Sequence, residues 1–222
     1  MEVLVPFSPD RPKSRLSGVL DGAERVAFAR AMCADVLAAV RAAGGDPVLL
    51  TTASAAELDV DAMAERAGIP APSVVDDDRE LSAAVNAQLA ERRPTPEEPT
   101  AVVMADLAIA TSASIERLLA ADGDVIIAPG RGGGTNALVV RDPAFRVDYH
   151  GASVRDHRRI AAEIGADVRE IDSYRLASDV DEPADLTEVL LHGEGAAAAW
   201  LRESGFGLAV TDGRVGLSRE GP

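Results

Sequence analysis

The sequence is poor in cysteine, in lysine and in long apolar runs, and each scarcity excludes a class of protein. Its single cysteine, Cys33, rules out an internal disulfide and suits a reducing compartment. It has no run of about 18 apolar residues, so no membrane-spanning helix is predicted. The first residues enter an apolar segment without a basic region or a cleavable signal, and we expect a cytoplasmic protein.

Positive charge is also scarce. The 222 residues include 37 acidic and 22 basic ones, which gives a formal net charge of −15 at pH 7. A field of this sign repels nucleic acids and anionic membranes, so neither is an expected partner. The acidic residues are spread along the chain instead of forming a tail, which is typical of proteins adapted to high salt.

Lys13 is the only lysine, and every other basic Lys or Arg position is an arginine. It lies in a proline-rich loop, residues 7–17, that directly follows the first predicted strand. Loops at this position bind nucleotides in many α/β proteins, although the GxxxxGK[ST] pattern of a P-loop is absent here. A compact ammonium suits a phosphate oxygen, and we favour this role over the chance survival of one surface lysine.

Predicted strands alternate with predicted helices along the whole chain. This order predicts a three-layer α/β sandwich over a mostly parallel sheet, in one domain covering residues 1–222. Residues 206–222 are predicted to add a peripheral hairpin with an Asp-Gly turn. Further local predictions are two strands, at 146–149 and 176–178, and a helix at 79–92 capped by Asp78. Another helix is predicted to be capped by Ser153, with His157 on its solvated face.

Acidic and glycine-rich segments come directly after predicted buried strands. Asp106 follows the apolar run 101–105, and the glycine-rich segment 130–134, with Arg131, follows the run 125–128. Glycines let main-chain N–H groups converge on an anion, and an arginine adds a permanent positive charge. Asp179 and Asp181 lie two residues apart, so they can share one cation. The alternative is that Asp181 or Glu182 caps the helix that begins at Pro183. Together these segments predict a metal–phosphate site, with a plain surface turn as the alternative for the glycines.

Three of these segments resemble the signatures of Rossmann-like nucleotidyltransferases: the first strand running into 13–16, Asp106 after its strand, and the segment 179–186. Within that superfamily, the segments 128–138 and 149–153 resemble the 2-phospho-L-lactate guanylyltransferase family of coenzyme F-420 biosynthesis. The resemblance covers nearly the whole chain apart from its C-terminal tail. It implies a nucleotide-diphospho-sugar-transferase-like fold and the transfer of GMP from GTP to (2S)-2-phospholactate, with release of pyrophosphate. It also implies a homodimer.

The resemblance assigns a role to each candidate residue. Lys13 and Arg15 would be catalytic, and Asp106, Asp179 and Asp181 would hold Mg²⁺. Pro6, Ser14 and Asn86 would bind the nucleotide, although Asn86 also has a plain interpretation as a solvent-facing helix residue. The phosphorylated acid would be bound by five residues: Arg131, Thr135, His150, Gly151 and Ser153. His150 stands where family members often have glycine, so a main-chain contact is expected there.

Other functions fit the same residues. The acid could be phosphoenolpyruvate or 3-phospho-D-glycerate, which differ from 2-phospholactate only around the carbon next to the phosphate. A sugar-phosphate nucleotidyltransferase or a glycosyltransferase of similar architecture is a further enzyme alternative. A nucleotide-binding regulatory protein of the same fold is the non-catalytic one, although the retained lysine and three aspartates favour an enzyme.

Overall fold

A seven-stranded sheet with helices on both faces forms the body of the protein. The computed structural model describes residues 1–10 and 12–219. The strands are β1 (Glu2–Phe7), β2 (Asp46–Thr51), β3 (Ser73–Asp76), β4 (Thr100–Val103), β5 (Val125–Pro129), β6 (Thr135–Val140), β7 (Val168–Glu170), β8 (Phe206–Thr211) and β9 (Arg214–Arg219). The helices are α1 (Gly22–Ala42), α2 (Ala55–Leu58), α3 (Val60–Ala67), α4 (Leu81–Arg92), α5 (Ser112–Leu119), α6 (Ser153–Ile164), α7 (Tyr174–Ala177), α8 (Pro183–His192) and α9 (Ala196–Glu203), with a 3₁₀ helix at Ser14–Gly18.

The sheet has the strand order β3-β2-β1-β4-β6-β5-β7. Strand β6 runs antiparallel to both of its neighbours, and every other pairing in this sheet is parallel. The predicted three-layer sandwich over a mostly parallel sheet is therefore confirmed. Its parallel strands place the loops after β1 and β4 at the same edge, where ligands bind in open α/β sheets.

The core has two parts, one on each face of the sheet. On one face, α1 packs against the sheet through residues such as Phe28, Met32 and Leu37, and Cys33 is buried among them as an apolar residue. On the other face, α4 and α6 contribute Val85 and Ala161. Strands covered on both sides explain why runs such as 101–103 are fully apolar. No helix in the described part of the chain is long and apolar enough to cross a membrane.

The predicted C-terminal hairpin is present over residues 206–219 as a separate two-stranded sheet, β8 with β9, and residues 220–222 of the prediction lie outside the described residues. Asp212 and Gly213 both have positive φ, 51° and 74°, as a tight hairpin turn with a right-handed twist requires. Phe206 is buried at its base, where Arg219 stacks over the ring at 4.4 Å from the centroid. The assignment of residues 1–222 to one domain stays a prediction.

Three local predictions are wrong. Residues 146–149 are not a strand, because Val147 exchanges both main-chain hydrogen bonds with the side chain of Asn86 (2.8 and 2.9 Å). Leu176 and Ala177 end helix α7, which Ser173 caps. The fourth helix begins at Leu81 with Glu80 as its N-cap, because Asp77 binds the main chain and guanidinium of Arg79 and forms a turn there.

Candidate active site

A cleft of about 420 Å³ opens at the carboxyl ends of β1 and β4. It is lined by Pro6 at the end of β1, by Lys13 and Arg15 from the following loop, and by Asp106 and Asp181. Pro6 is the next-to-last residue of β1. This is possible because β1 pairs with β4 only over residues 2–4, so the missing N–H of Pro6 removes no ladder bond on that side.

Lys13 lies between two carboxylates. Its Nζ donates to Asp106 Oδ2 at 2.6 Å and to Asp181 Oδ1 at 2.9 Å, and only 13% of its side chain is exposed. Its backbone has the left-handed conformation (φ 53°, ψ 47°), which costs a non-glycine residue about 1 kcal/mol or more. The protein therefore holds this lysine in the cleft at an energetic cost, a pattern found mostly at functional sites.

The charge of Lys13 is set by two opposing effects. Burial disfavours the ammonium form, but the charges and hydrogen bonds of Asp106 and Asp181 favour it and more than offset burial. The net result is a pKa raised above its ordinary value. Lys13 is therefore a cation at neutral pH and not a general base.

The three predicted metal ligands are held differently. The main-chain N–H of Val180 donates to Asp106 O at 3.2 Å, which ties the segment 179–181 to the end of β4. Asp106 and Asp181 then meet at Lys13, whereas Asp179 Oδ1 accepts from Asn136 Nδ2 at 3.0 Å. Within residues 1–10 and 12–219, no group of three or more His, Cys, Asp and Glu side chains is already arranged around one metal position.

One feature of Asp106 nevertheless fits a cation. Its Oδ1 is buried and has no hydrogen-bond partner in the described part of the chain. A buried carboxylate oxygen without a donor is costly, and a hard divalent cation would satisfy it. The carboxylates of Asp106 and Asp181 are therefore suited to Mg²⁺, although only Asp106 Oδ1 is without a partner. Lys13 contacts Asp106 Oδ2 and Asp181 Oδ1, and Arg15 lies 3.4 Å from Asp181 Oδ2.

The glycine-rich segment forms a compact loop between β5 and β6. Gly130 and Gly133 use their N–H groups inside the loop, on Gly134 O and Gly130 O. A Cβ at Gly130 would lie 2.5 Å from Asn136 Oδ1, so this position tolerates no side chain. Arg131 is exposed and donates to Asp185 Oδ1 at 2.7 Å.

A register shift at the start of β6 directs its first two side chains to different partners. Thr135 pairs with Pro129 and Ala137 with Ala128, which leaves Asn136 as an extra residue. Bulges of this kind re-aim side chains beside functional sites. The Asn136 amide reaches Asp179 and Leu176 O, while Thr135 contacts α6. Because Met104 N donates to Asn136 O, this bulge lies beside the end of β4.

Thr135, Ser153 and His157 form a buried polar cluster. Thr135 N donates to Ser153 Oγ at 2.9 Å, and His157 Nδ1 lies 2.8 Å from Thr135 Oγ1. Two predictions for α6 are wrong. Ser153 was expected as its N-cap, but the N-cap position is Ala152, and His157 was expected on the solvated face but is fully buried. His157 shares one face with Val154 and Ala161, a spacing of three and four residues that the sequence already contains.

Other predicted site residues lie at the surface. His150 is largely exposed and contacts Asp148 Oδ1 at 2.6 Å, and this hydrogen bond is the main cause of its raised pKa. Gly151 is exposed with φ 56°. Ser14 begins the exposed 3₁₀ helix, and Arg15 reaches Asp181 Oδ2 at 3.4 Å. Their predicted contacts with substrates stay predictions.

A second hollow of about 360 Å³ adjoins the cleft across Pro6, Phe7 and Met104. Its walls are mostly apolar and come from the ends of β2 and β3 and the start of α4. Asn86 lies one turn further along α4, with both polar atoms engaged by Val147. Its role in nucleotide binding stays a prediction. In the structure its side chain holds the backbone of Val147 against α4.

We expect the stability of the fold to fall in acid because of His157. Burial lowers its pKa from 6.5 to about 4, opposed by Asp148 and Asp156, so the unfolded chain binds this proton first as pH falls. The free energy of unfolding therefore begins to fall below pH 6.5, and the loss reaches about 3 kcal/mol below pH 4. Denaturant unfolding of the wild type and His157→Gln at pH 7 and pH 4.5 measures it. A stability difference between the two proteins that does not change with pH would contradict the assignment.

The structure thus brings together Lys13, Asp106 and Asp181 as expected, and Thr135 with Ser153. Sequence reasoning missed two residues that organise the site. His157 could have been found by its helical spacing. Asp185 could have been found as an acid in the first turn of α8, and it accepts from Asp181 N, Glu182 N and Arg131 at once.

The sequence matches the family model described as "Guanylyl transferase CofC like" over residues 1–218. Similar proteins named 2-phospho-L-lactate guanylyltransferase occur in Halomicrobium mukohataei and Haloferax volcanii. The first is 58% identical over 219 residues (99% of this chain, 100% of the relative). The second is 51% identical over 220 residues (99% of each chain). Both sources are haloarchaea, in keeping with the acidic composition.

Solved structures support the fold alone. A protein assigned as a nucleotide-diphospho-sugar transferase from Desulfovibrio desulfuricans G20 superposes with a TM-score of 0.68 at 16% identity, covering 91% of this chain and 94% of the other. A nucleotidyl transferase from Methanothermobacter superposes with a TM-score of 0.56 at 16% identity, covering 91% and 98%.

Proposed function

The chain belongs to the CofC-like guanylyl transferase family, and we propose that it transfers GMP from GTP to 2-phospho-L-lactate. The products are lactyl-2-diphospho-5'-guanosine and pyrophosphate, in a step of coenzyme F-420 biosynthesis. The observation that carries the proposal is the ammonium of Lys13 between Asp106 and Asp181, in a cleft at the carboxyl ends of β1 and β4. A cation beside two carboxylates suits a polyphosphate accompanied by a divalent metal.

In the proposed reaction, a phosphate oxygen of the acid attacks the α-phosphorus of GTP. A new P–O bond forms, and the bond to the β-phosphate breaks with its electrons leaving on pyrophosphate. The attacking phosphate is already ionised near neutral pH, so no general base is needed. The residues of the cleft therefore act by binding, orienting and balancing charge.

Lys13 and Arg15 are proposed to stabilise the charge that collects on the pyrophosphate. Lys13 is nearly buried and positively charged, so it acts where the local dielectric is low. Arg15 is exposed and reaches the same carboxylate, Asp181, from the solvent side. In the structure both cations are paired with aspartates, and they must exchange these partners for phosphate oxygens when GTP binds.

Mg²⁺ is proposed to be held by Asp106, Asp179 and Asp181. When bound, it would neutralise phosphate charge and align the phosphates for in-line transfer. The buried, unpartnered Oδ1 of Asp106 supports this assignment. Asp179 would have to leave Asn136 to join the other two carboxylates.

We propose that the nucleoside occupies the apolar hollow beside the cleft, with Pro6 in the wall that the two share. Ser14, which lines the cleft, and Asn86, further along α4, are proposed to contact it. The acid is proposed to bind across the cleft at Arg131, Thr135, His150, Gly151 and Ser153. Arg131 suits its carboxylate or phosphate, since a guanidinium offers a donor fork. The homodimer, the cytoplasmic location and the absence of nucleic-acid partners stay predictions.

Release of pyrophosphate from GTP, measured at high salt with each candidate acid, tests the proposal. We expect the highest kcat/KM with 2-phospho-L-lactate, and lower values with phosphoenolpyruvate and 3-phospho-D-glycerate. A preference for either of those acids would replace the substrate and keep the reaction. GTP binding without pyrophosphate release from any acid would favour the regulatory alternative.

A further inference from the structure

The buried histidine of α6 has a fixed tautomer. Its Nε2 lies 2.9 Å from the main-chain N–H of Asp148, which can only donate, so Nε2 must accept. Burial holds the ring neutral near pH 7, and a neutral ring carries one proton. That proton is therefore on Nδ1, which donates to Thr135 Oγ1 at 2.8 Å.

This tautomer orients the hydroxyl of Thr135. The hydroxyl accepts from His157, so its own proton points away from the ring. Ser153 is in the same situation, because its Oγ accepts the N–H of Thr135 at 2.9 Å. Both residues are 3% exposed, and within residues 1–10 and 12–219 neither hydroxyl proton has an acceptor. Two buried O–H donors without acceptors indicate a ligand rich in oxygen.

We propose that His157 is a positioning residue that turns the Thr135 hydroxyl proton toward the phosphorylated acid. The inference rests on the proposed function, since it needs an anionic substrate beside Thr135. The ring is itself held on both sides: Tyr149 meets it edge-on at 5.1 Å and Phe145 lies at 5.9 Å. A ring packed this way loses little freedom when it orients a neighbour.

Two substitutions separate the two hydrogen bonds of His157. The amide of His157→Gln reaches about as far as Nε2, so it keeps the bond to Asp148 and loses the donor to Thr135. The amide of His157→Asn reaches about as far as Nδ1, so it keeps the donor to Thr135 and loses the bond to Asp148. We expect the KM for 2-phospho-L-lactate to rise about tenfold in His157→Gln and to recover most of the way in His157→Asn. The KM for GTP should not change in either variant.

The same His157→Gln substitution is also made in a Thr135→Val protein, which lacks the hydroxyl that His157 orients. Without the hydroxyl, His157→Gln should raise the KM for the acid no further, since both changes remove one interaction. Equal KM values in the Gln and Asn variants, or a further rise in the Thr135→Val background, would overturn the role of His157. Unfolding curves of all variants exclude a general loss of fold as the cause.

The tautomer has a readout that does not depend on activity. ¹⁵N-labelled histidine gives signals from three residues, and the signals missing in His157→Gln belong to His157. We expect the pattern of a proton on Nδ1 with no titration near pH 6.5; a proton on Nε2 would overturn the inference. A wild type that turns over no phospho-acid would contradict the proposed function. A wild type that is active and matched by His157→Gln would contradict only this inference.

Discussion

Replacing Lys13 by methionine should lower kcat by about 10²–10³-fold, the usual effect of removing one group that stabilises transition-state charge. Methionine keeps much of the length of the lysine stem and removes only the charged end. The effect should appear mainly in kcat, because the charge on the pyrophosphate develops during the reaction. Lys13→Arg should also lose activity, since Nζ fits between oxygens at 2.6 and 2.9 Å where a planar guanidinium cannot.

The control for Lys13→Met is Arg159→Met. Arg159 is a cation on the exposed face of α6, paired with Glu163, and its loss changes net charge equally. Pyrophosphate release and thermal unfolding at high salt check both variants. Retained full activity in Lys13→Met would remove the lysine from the reaction.

The single lysine also provides a spectroscopic probe of the cleft. Lysine labelled with ¹³C at Cε alone gives one protein signal, that of Lys13. Mg²⁺ titrated without nucleotide should shift this signal, because the metal and the ammonium compete for Asp106 and Asp181. An unchanged signal at saturating Mg²⁺ would contradict a metal site on those carboxylates.

The parts of the site that follow strands were predictable from the sequence. Apolar runs ending in Asp106 or leading into the Lys13 loop predict neighbours at one sheet edge, and the structure places the two side chains in contact. This works because buried parallel strands have a strong sequence signal and a fixed geometry. The antiparallel direction of β6 also had a signal in the sequence, because only residues 130–134 connect it to β5, and a parallel connection needs a crossover of about a dozen residues or more.

Contacts made by side chains to distant backbone were not predictable. Asn86 meets Val147 across 61 residues, and Asp35 caps α9 through Ala196 and Ala197. Such contacts need only one residue to be in the right place, so they leave no periodic pattern. The same holds for Asn136, whose contact with Asp179 depends on a bulge that one extra residue creates.

Asp106→Asn should reduce turnover by about 10³-fold and leave the fold intact. Asparagine has the same shape, and its carbonyl oxygen can still accept from Lys13, so the link from the loop to β4 survives. It lacks the negative charge that a divalent cation requires, and losing several kcal/mol of charge stabilisation is worth this factor in rate. The affinity of the protein for Mn²⁺ without nucleotide, measured by EPR, should fall together with turnover. This measurement distinguishes loss of metal binding from loss of catalysis with the metal still bound.

The matched control is Asp46→Asn. Asp46 begins β2, at the opposite end of the strand from the cleft, and it pairs with Arg41 at 2.9 Å. Asp46→Asn removes one negative charge, as Asp106→Asn does, with the same small change of side-chain shape. The kcat and Mn²⁺ affinity of the Asp46→Asn protein should therefore stay at the wild-type values. An Asp106→Asn protein that binds Mn²⁺ as tightly as the wild type would show that the buried Oδ1 of Asp106 serves a purpose other than metal binding.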